Sequence, residues 1–139
     1  SVQWLLDHGA SIKARSQSGE TVMTRALAAD NLKILRLLIE RGADLSVRDT
    51  SDATLLHRAA RLRNPEFARL LLEKNAALNA TDKTGRTPLH RAAESKSATE
   101  TLKLLLAKGA DRSVKDTSGK TPLDYATKAK NKAAIELLQ

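Results

Sequence analysis

The chain has 139 residues, a net charge of +8, 41% hydrophobic residues, 2% aromatic residues and no cysteine. That length suits one domain, and the lack of cysteine excludes disulfides and thiolate metal centres. No apolar run approaches the ~20 residues that span a bilayer, and the first residues lack the basic segment and cleavage site of a signal peptide.

These features predict an intracellular protein, cytoplasmic or nuclear, with no membrane insertion. A core of leucine and alanine with almost no rings points to close-packed short helices rather than a β-sandwich. The basic excess favours acidic partners.

In chain order, residues 1–14 read as a lone leucine-rich helix, "VQWLLDHGA", ending at Gly9. Residues 15–47 read as two helices, "TVMTRALAAD" and "LKILRLLIERGA". Residues 48–80 repeat the arrangement with "TLLHRAA" and "NPEFARLLLEKNA", where Asn64 caps a helix that starts at Pro65. Residues 81–114 repeat it again with "TPLHRAAE" and "TLKLLLAKGA", and carry one extra residue between the helices near "SKSATE". Residues 115–139 close the chain with "TPLDYATK" and "NKAAIELLQ", where Thr121 and Asp124 form a capping box.

One period runs through these segments. Gly19, Asp52, Gly85 and Gly119 are spaced 33, 33 and 34 residues apart. Thr21, Thr54, Thr87 and Thr121 keep the same spacing, as do Gly9, Gly42, Asn75 and Gly109. Glycine, or failing that asparagine, suits the left-handed residue that ends a helix.

The unit "DKTGRTPLHRAAE" followed by "TLKLLLAKGAD" resembles the ankyrin repeat, whose pattern is about 33 residues with T-P-L-H-x-A. The first full unit departs from it at Val22 and Thr24, and the second at Asp52 and Leu55. The resemblance implies an all-α repeat solenoid: stacked helix-turn-helix units joined by β-hairpin-like turns. Its units would be a partial repeat over 1–14, repeats over 15–47, 48–80 and 81–114, and a capping repeat over 115–139. Lys132, Ala134 and Gln139, standing where the first full unit has Leu32, Ile34 and Ile39, suggest the polar outer face that an end unit needs. The start inside a unit suggests a piece of a longer array.

A helical wheel separates the faces of the first helices. Met23, Ala26, Leu27, Leu56, Ala59, Ala60, Leu89, Ala92 and Ala93 face inward, while Arg25, Arg58, Arg91 and Tyr125 face outward. The resemblance implies that this outward side, with the turn tips, forms a concave binding groove. Its expected partner-binding residues are Arg25, Arg58, Arg61, Leu62, Lys83, Arg86, Arg91, Ser95, Lys120 and Tyr125. The positive charge gathers there, with Lys128 added and only Glu20 and Glu94 against it, while the backs of the second helices mix signs.

The arginines have three readings: solvated heads on packed stems, bidentate binders of carboxylate or phosphate, or intramolecular partners of Glu20, Glu94 or nearby aspartates. Reversing Arg58 and Arg91 to glutamate is expected to cripple binding without unfolding the domain.

His57 and His90 recur at the repeat spacing, which favours architecture over catalysis. The resemblance implies that each bonds backbone of the adjoining turn. His8 sits where a cation suits a helix end. Asp49, Asp82 and Asp116 read as turn formers. No nucleophile elbow, phosphate loop or metal-ligand cluster occurs, so neither an enzyme nor a cofactor is expected.

The resulting expectation is a non-enzymatic protein-interaction module that binds an acidic or extended segment of another protein. Alternatives are a nucleic-acid or nucleotide-phosphate binder using the arginine column, a structural spacer in a larger protein, and self-association around Trp4.

Overall fold

The computed structural model describes residues 22–42, 45 and 48–139. Expectations for Trp4, His8, Gly9, Gly19, Glu20 and Thr21 lie outside the described residues. Among the described residues the elements are all helical: α1 (Val22–Ala28), α2 (Leu32–Glu40), α3 (Leu55–Ala59), α4 (Glu66–Glu73), α5 (Pro88–Glu94), α6 (Thr99–Ala107), α7 (Pro122–Lys128) and α8 (Lys132–Leu138).

Each first helix starts by the same local chemistry. The hydroxyls of Thr54, Thr87 and Thr121 accept the backbone N–H of the third helical residue, His57, His90 and Asp124 respectively. That third residue accepts the cap's own N–H in return, through His57 Nδ1 at 3.1 Å, His90 Nδ1 at 3.0 Å and Asp124 Oδ2 at 2.8 Å. Two otherwise orphaned donors are thereby satisfied at each end.

Two of the second helices, α2 and α8, are capped by asparagine. Asn31 and Asn131 accept from Ile34 and Ala134 at 3.2 and 3.3 Å. The expectation that Asn64 caps a helix starting at Pro65 is corrected: α4 starts one residue later, at Glu66, with Pro65 in the cap position and no side-chain cap, and Asn64 Oδ1 accepts from the N–H of Glu66 at 3.0 Å in the turn before it. The extra residue near "SKSATE" falls in the α5–α6 turn, 95–98, and α6 begins at Thr99 with Ala98 in the cap position and no side-chain cap. Gly42, Asn75 and Gly109 take φ of 85°, 66° and 92°, the left-handed conformation expected after a helix.

The first helices α1, α3, α5 and α7 lie side by side in one layer, and α2, α4, α6 and α8 pack behind them in a second. Phe67, Leu35, Leu38, Leu56, Leu71, Leu89, Leu102 and Leu105 fill the space between the layers, all essentially inaccessible. Ala59, Ala60, Ala92, Ala93 and Ala126 are equally buried, and their small side chains let first helices approach closely. Truncating one of the buried leucines to alanine in such a core costs about 2–5 kcal/mol.

In the last pair Lys132 and Gln139 are exposed as expected, but Ala134 is fully buried. It stands in the α8 contact with the core rather than on a polar outer face, its methyl group filling a small space.

The connecting turns are hairpin-like without forming a sheet. Asp49–Ala53, Asp82–Arg86 and Asp116–Lys120 are each closed by a backbone bond from the aspartate N–H, at 3.0, 2.9 and 2.9 Å. One isolated antiparallel bridge, Arg48 to Thr54, is all the β-structure among the described residues. Neighbouring turns are hydrogen-bonded tip to tip, Lys83 N–H to Ser51 C=O and Thr117 N–H to Thr84 C=O, both at 2.9 Å.

Candidate functional site

The turn aspartates do two jobs. The Oδ1 of Asp49 accepts from the N–H of Ser51 and Ala53 at 2.8 and 3.0 Å. Asp82 Oδ1 accepts from Thr84 N–H, Thr84 Oγ1 and Arg86 N–H at 2.9, 2.8 and 3.1 Å. Asp116 Oδ1 accepts from Ser118 and Lys120 N–H at 2.8 and 3.0 Å. These bonds form the turns, as the sequence suggests.

The second oxygen reaches the first helix that follows. Asp49 Oδ2 accepts from Arg58 Nε and Nη2 at 3.2 and 2.9 Å. Asp82 Oδ2 accepts from Arg91 Nη2 at 2.8 Å, and Asp116 Oδ2 accepts the phenol of Tyr125 in a short hydrogen bond. The column Arg58, Arg91, Tyr125 is therefore a column of clips, each binding a helix to the turn nine residues before it. Of the three readings of the arginines, intramolecular pairing describes Arg58 and Arg91. The Arg91 side chain keeps only 12% of its exposure, and its Nε is buried without a hydrogen-bond partner.

The electrostatics follow from these contacts. Burial alone would raise the pKa of Asp82, but hydrogen bonds from Arg91, Thr84 and the Arg86 backbone hold it well below the usual carboxylate range. At Asp49 the same opposition, with the Ala53 and Ser51 amides and Arg58 prevailing over burial, again lowers the pKa. The Tyr125 hydrogen bond leads the causes that lower Asp116, to about 2. Burial, followed by the bond to Asp116, raises Tyr125.

A charge reversal at Arg58 or Arg91 would set two carboxylates against each other at a partly buried site. It would cost stability as well as any binding, which corrects the expectation that such a change spares the fold.

His57 and His90 are fully buried. Each Nδ1 accepts the threonine N–H in the capping box, so Nε2 carries the proton and donates onward, His57 to Arg86 C=O at 2.7 Å and His90 to Lys120 C=O at 3.0 Å. Each imidazole thus joins one helix pair to the next turn. Burial lowers both pKa values, and the carbonyl bonds offset this only incompletely. No group of histidine, aspartate and glutamate among the described residues could hold a metal ion.

The expected binding residues fall into separate places. Arg58, Arg61, Leu62 and Arg91 meet in one open cleft of about 410 Å³. Sequence reasoning missed the rest of its lining, Thr24, Leu27, Ala28, Asp49 and Ser51. Arg86 and Tyr125 form a second group, with the guanidinium carbon 5.9 Å from the ring centre and His90 edge-on to the same ring at 5.5 Å. Lys83 and Lys120 are exposed on the turns, and Arg25 is exposed on α1. Ser95 lies outside the cleft, in the α5–α6 turn, where its hydroxyl donates to Arg61 C=O at 3.3 Å. The nine-residue offset of Asp49 from Arg58 and of Asp82 from Arg91 was the signal that could have disclosed the clips.

Paired stacked helices, glycine-ended second helices and histidines that bond the next turn all repeat along the chain. A family model described as ankyrin repeats (3 copies) matches residues 1–82 and 56–139. The chain belongs to the ankyrin repeat family. No curated protein sequence matches it closely enough to stand as a relative. Ankyrin repeats are generally protein–protein interaction modules and typically non-enzymatic. Among the described residues of this ankyrin chain, no helix is long and apolar enough to cross a membrane.

Proposed function

We propose that this ankyrin chain is a non-enzymatic interaction module that grips an acidic, extended segment of a partner protein along a concave face made by α1, α3, α5, α7 and the turn tips. In this reading the chain divides into repeats at 15–47, 48–80 and 81–114, flanked by a partial repeat and an end repeat. The observation that carries it is the cleft where Arg61 stands beside the half-buried Leu62, over a floor that includes Leu27 and Ala28. A cation beside an apolar patch offers both steering and a desolvated anchor.

The clips assign the roles. Arg58 and Arg91, held by Asp49 and Asp82, are rigid walls whose ordering is complete before a ligand arrives, which lowers the entropy lost on binding. Arg61, Lys83 and Lys120 have no ion-pair partner among the described residues and supply the attraction. A phosphate clamp built from the arginine column loses support, because Asp49 and Asp82 already occupy the guanidinium groups of Arg58 and Arg91.

The test is binding to an immobilised library of acidic, extended peptides. Peptides selected by the parent protein should bind Arg61→Glu/Lys83→Glu about tenfold or more weakly, while that variant melts with the parent. Undiminished binding would refute the concave-face assignment.

A further inference from the structure

The turns that join the two helices of each pair form an edge distinct from the tips. Three of them are in contact. Ser95 Oγ donates to Arg61 C=O at 3.3 Å, and Asn131 Nδ2 donates to Ser95 C=O at 3.3 Å. The 60–65, 95–98 and 129–131 turns therefore run as one continuous edge. Along it stand Arg61, Arg63, Lys96, Lys128, Lys130 and Lys132, all exposed. None of the six has an ion-pair partner among the described residues. The acid that borders these turns unpaired is Glu94, since Glu66 and Glu100 are taken by Arg69 and Lys103.

Stability does not explain this charge. Lys132 opens α8, whose first turn contains no acidic residue, so its cation opposes the helix dipole. By contrast α4 and α6 carry Glu66 and Glu100 in that turn. Lys130 sits at φ 57°, where a side chain is strained.

We propose that this edge binds the phosphate backbone of duplex nucleic acid without regard to base sequence. Adjacent packed helices lie roughly 8–10 Å apart, so the three turns set out a line of cations about 20 Å long, suited to a linear polyanion. A protein partner needs apolar or aromatic anchors, and a membrane surface is favoured by groups that can insert. The edge exposes no such group: its Leu62 is half-buried and lines the concave cleft, and of the described aromatic residues Phe67 is buried in the core and Tyr125 is clipped to Asp116. Phosphates need charge alone, and the lack of stacking rings disfavours single strands. The proposal is independent of the concave cleft, which shares only Arg61 of the six cations.

The test is fluorescence anisotropy with a mixed-sequence DNA duplex of about 20 base pairs between about 50 and 200 mM salt. Lys96→Ala/Lys128→Ala/Lys132→Ala is compared with Lys74→Ala/Lys108→Ala/Lys115→Ala, which removes the same charge elsewhere. The edge variant should bind at least about tenfold more weakly at low salt and lose about 2–3 from the log–log salt slope, the control less than about 1. Equal weakening of both variants, no binding by the parent at low salt, or tighter binding to anionic phospholipid vesicles than to duplex would each overturn it. All six positions are exposed, so coincident thermal melts are expected to confirm that both variants fold.

Discussion

Asp52 occupies a position that glycine holds in the equivalent turns, and it takes φ 59°. A left-handed non-glycine residue costs roughly 1–2 kcal/mol, somewhat less for aspartate. Its compensation is an exposed pair with Arg48 at 3.2 Å, the kind worth well under about 1 kcal/mol. Arg48 also donates to Thr81 C=O at 3.0 Å and keeps that bond without Asp52. Asp52→Gly should therefore stabilise the domain by about 0.5 kcal/mol after the entropic cost of glycine, and a lower urea midpoint would mean the pair is stronger than its exposure suggests.

Asp82 is the opposite case, with its side chain 1% exposed and holding both the turn and Arg91. Asp82→Ala strands several donors and a nearly buried cation, so a loss of about 2–4 kcal/mol is expected. Adding Arg91→Met should recover some of that loss. Purely additive losses in the double-mutant cycle would show that the clip has no coupling energy.

At the scale of the element, most of the design was legible. The threonine caps and the glycine or asparagine helix ends are local, and each is written in adjacent residues. The clips were legible only as one of three readings of the arginines, because Asp49 and Arg58 belong to different elements and meet only once the turn folds back. Helical geometry alone turned Arg58 and Arg91 away from the leucines and left them facing solvent. The cleft was half legible for the same reason: Arg61 and Leu62 follow from the wheel, while Ser51 and Asp49 come from a turn whose path the wheel does not describe.

Two glycines test the turns as elements. Gly85 and Gly119 share φ 78°, but a Cβ on Gly85 would lie 3.1 Å from Thr117 N and 3.2 Å from Asp116 Cα, both backbone of the next turn. One on Gly119 meets nothing within 4 Å. Both alanine variants bear the left-handed cost of roughly 1–2 kcal/mol. Gly85→Ala must also force a pair of hydrogen-bonded turns away from each other, so it should be the more destabilising by about 1 kcal/mol or more. Equal urea midpoints would show that the neighbouring turn yields freely.

Across the whole molecule, cohesion between helix pairs depends on protonation. His57 and His90 each use Nδ1 as an acceptor and Nε2–H as a donor, an arrangement only the neutral imidazole can make. Their pKa values in the folded state lie below the ordinary value of 6.5, chiefly through burial. The unfolded chain therefore takes up protons first as pH falls. The stabilisation is complete above about pH 6.5 and declines below it toward the folded pKa, with a slope of at most about 1.4 kcal/mol per pH unit for each histidine. Asp49, Asp82 and Asp116 are held low as well, so their contribution persists to about pH 4 and is lost only below it. Two separate acid windows result. Urea melts at about pH 7.5, 6 and 5 should show declining stability in the upper window. A His57→Asn/His90→Asn protein should start less stable and lose most of that decline. His8 is common to both proteins, so the difference isolates the two buried rings. Parallel declines in the two proteins would mean that the imidazoles hold the helix pairs together no more tightly neutral than charged.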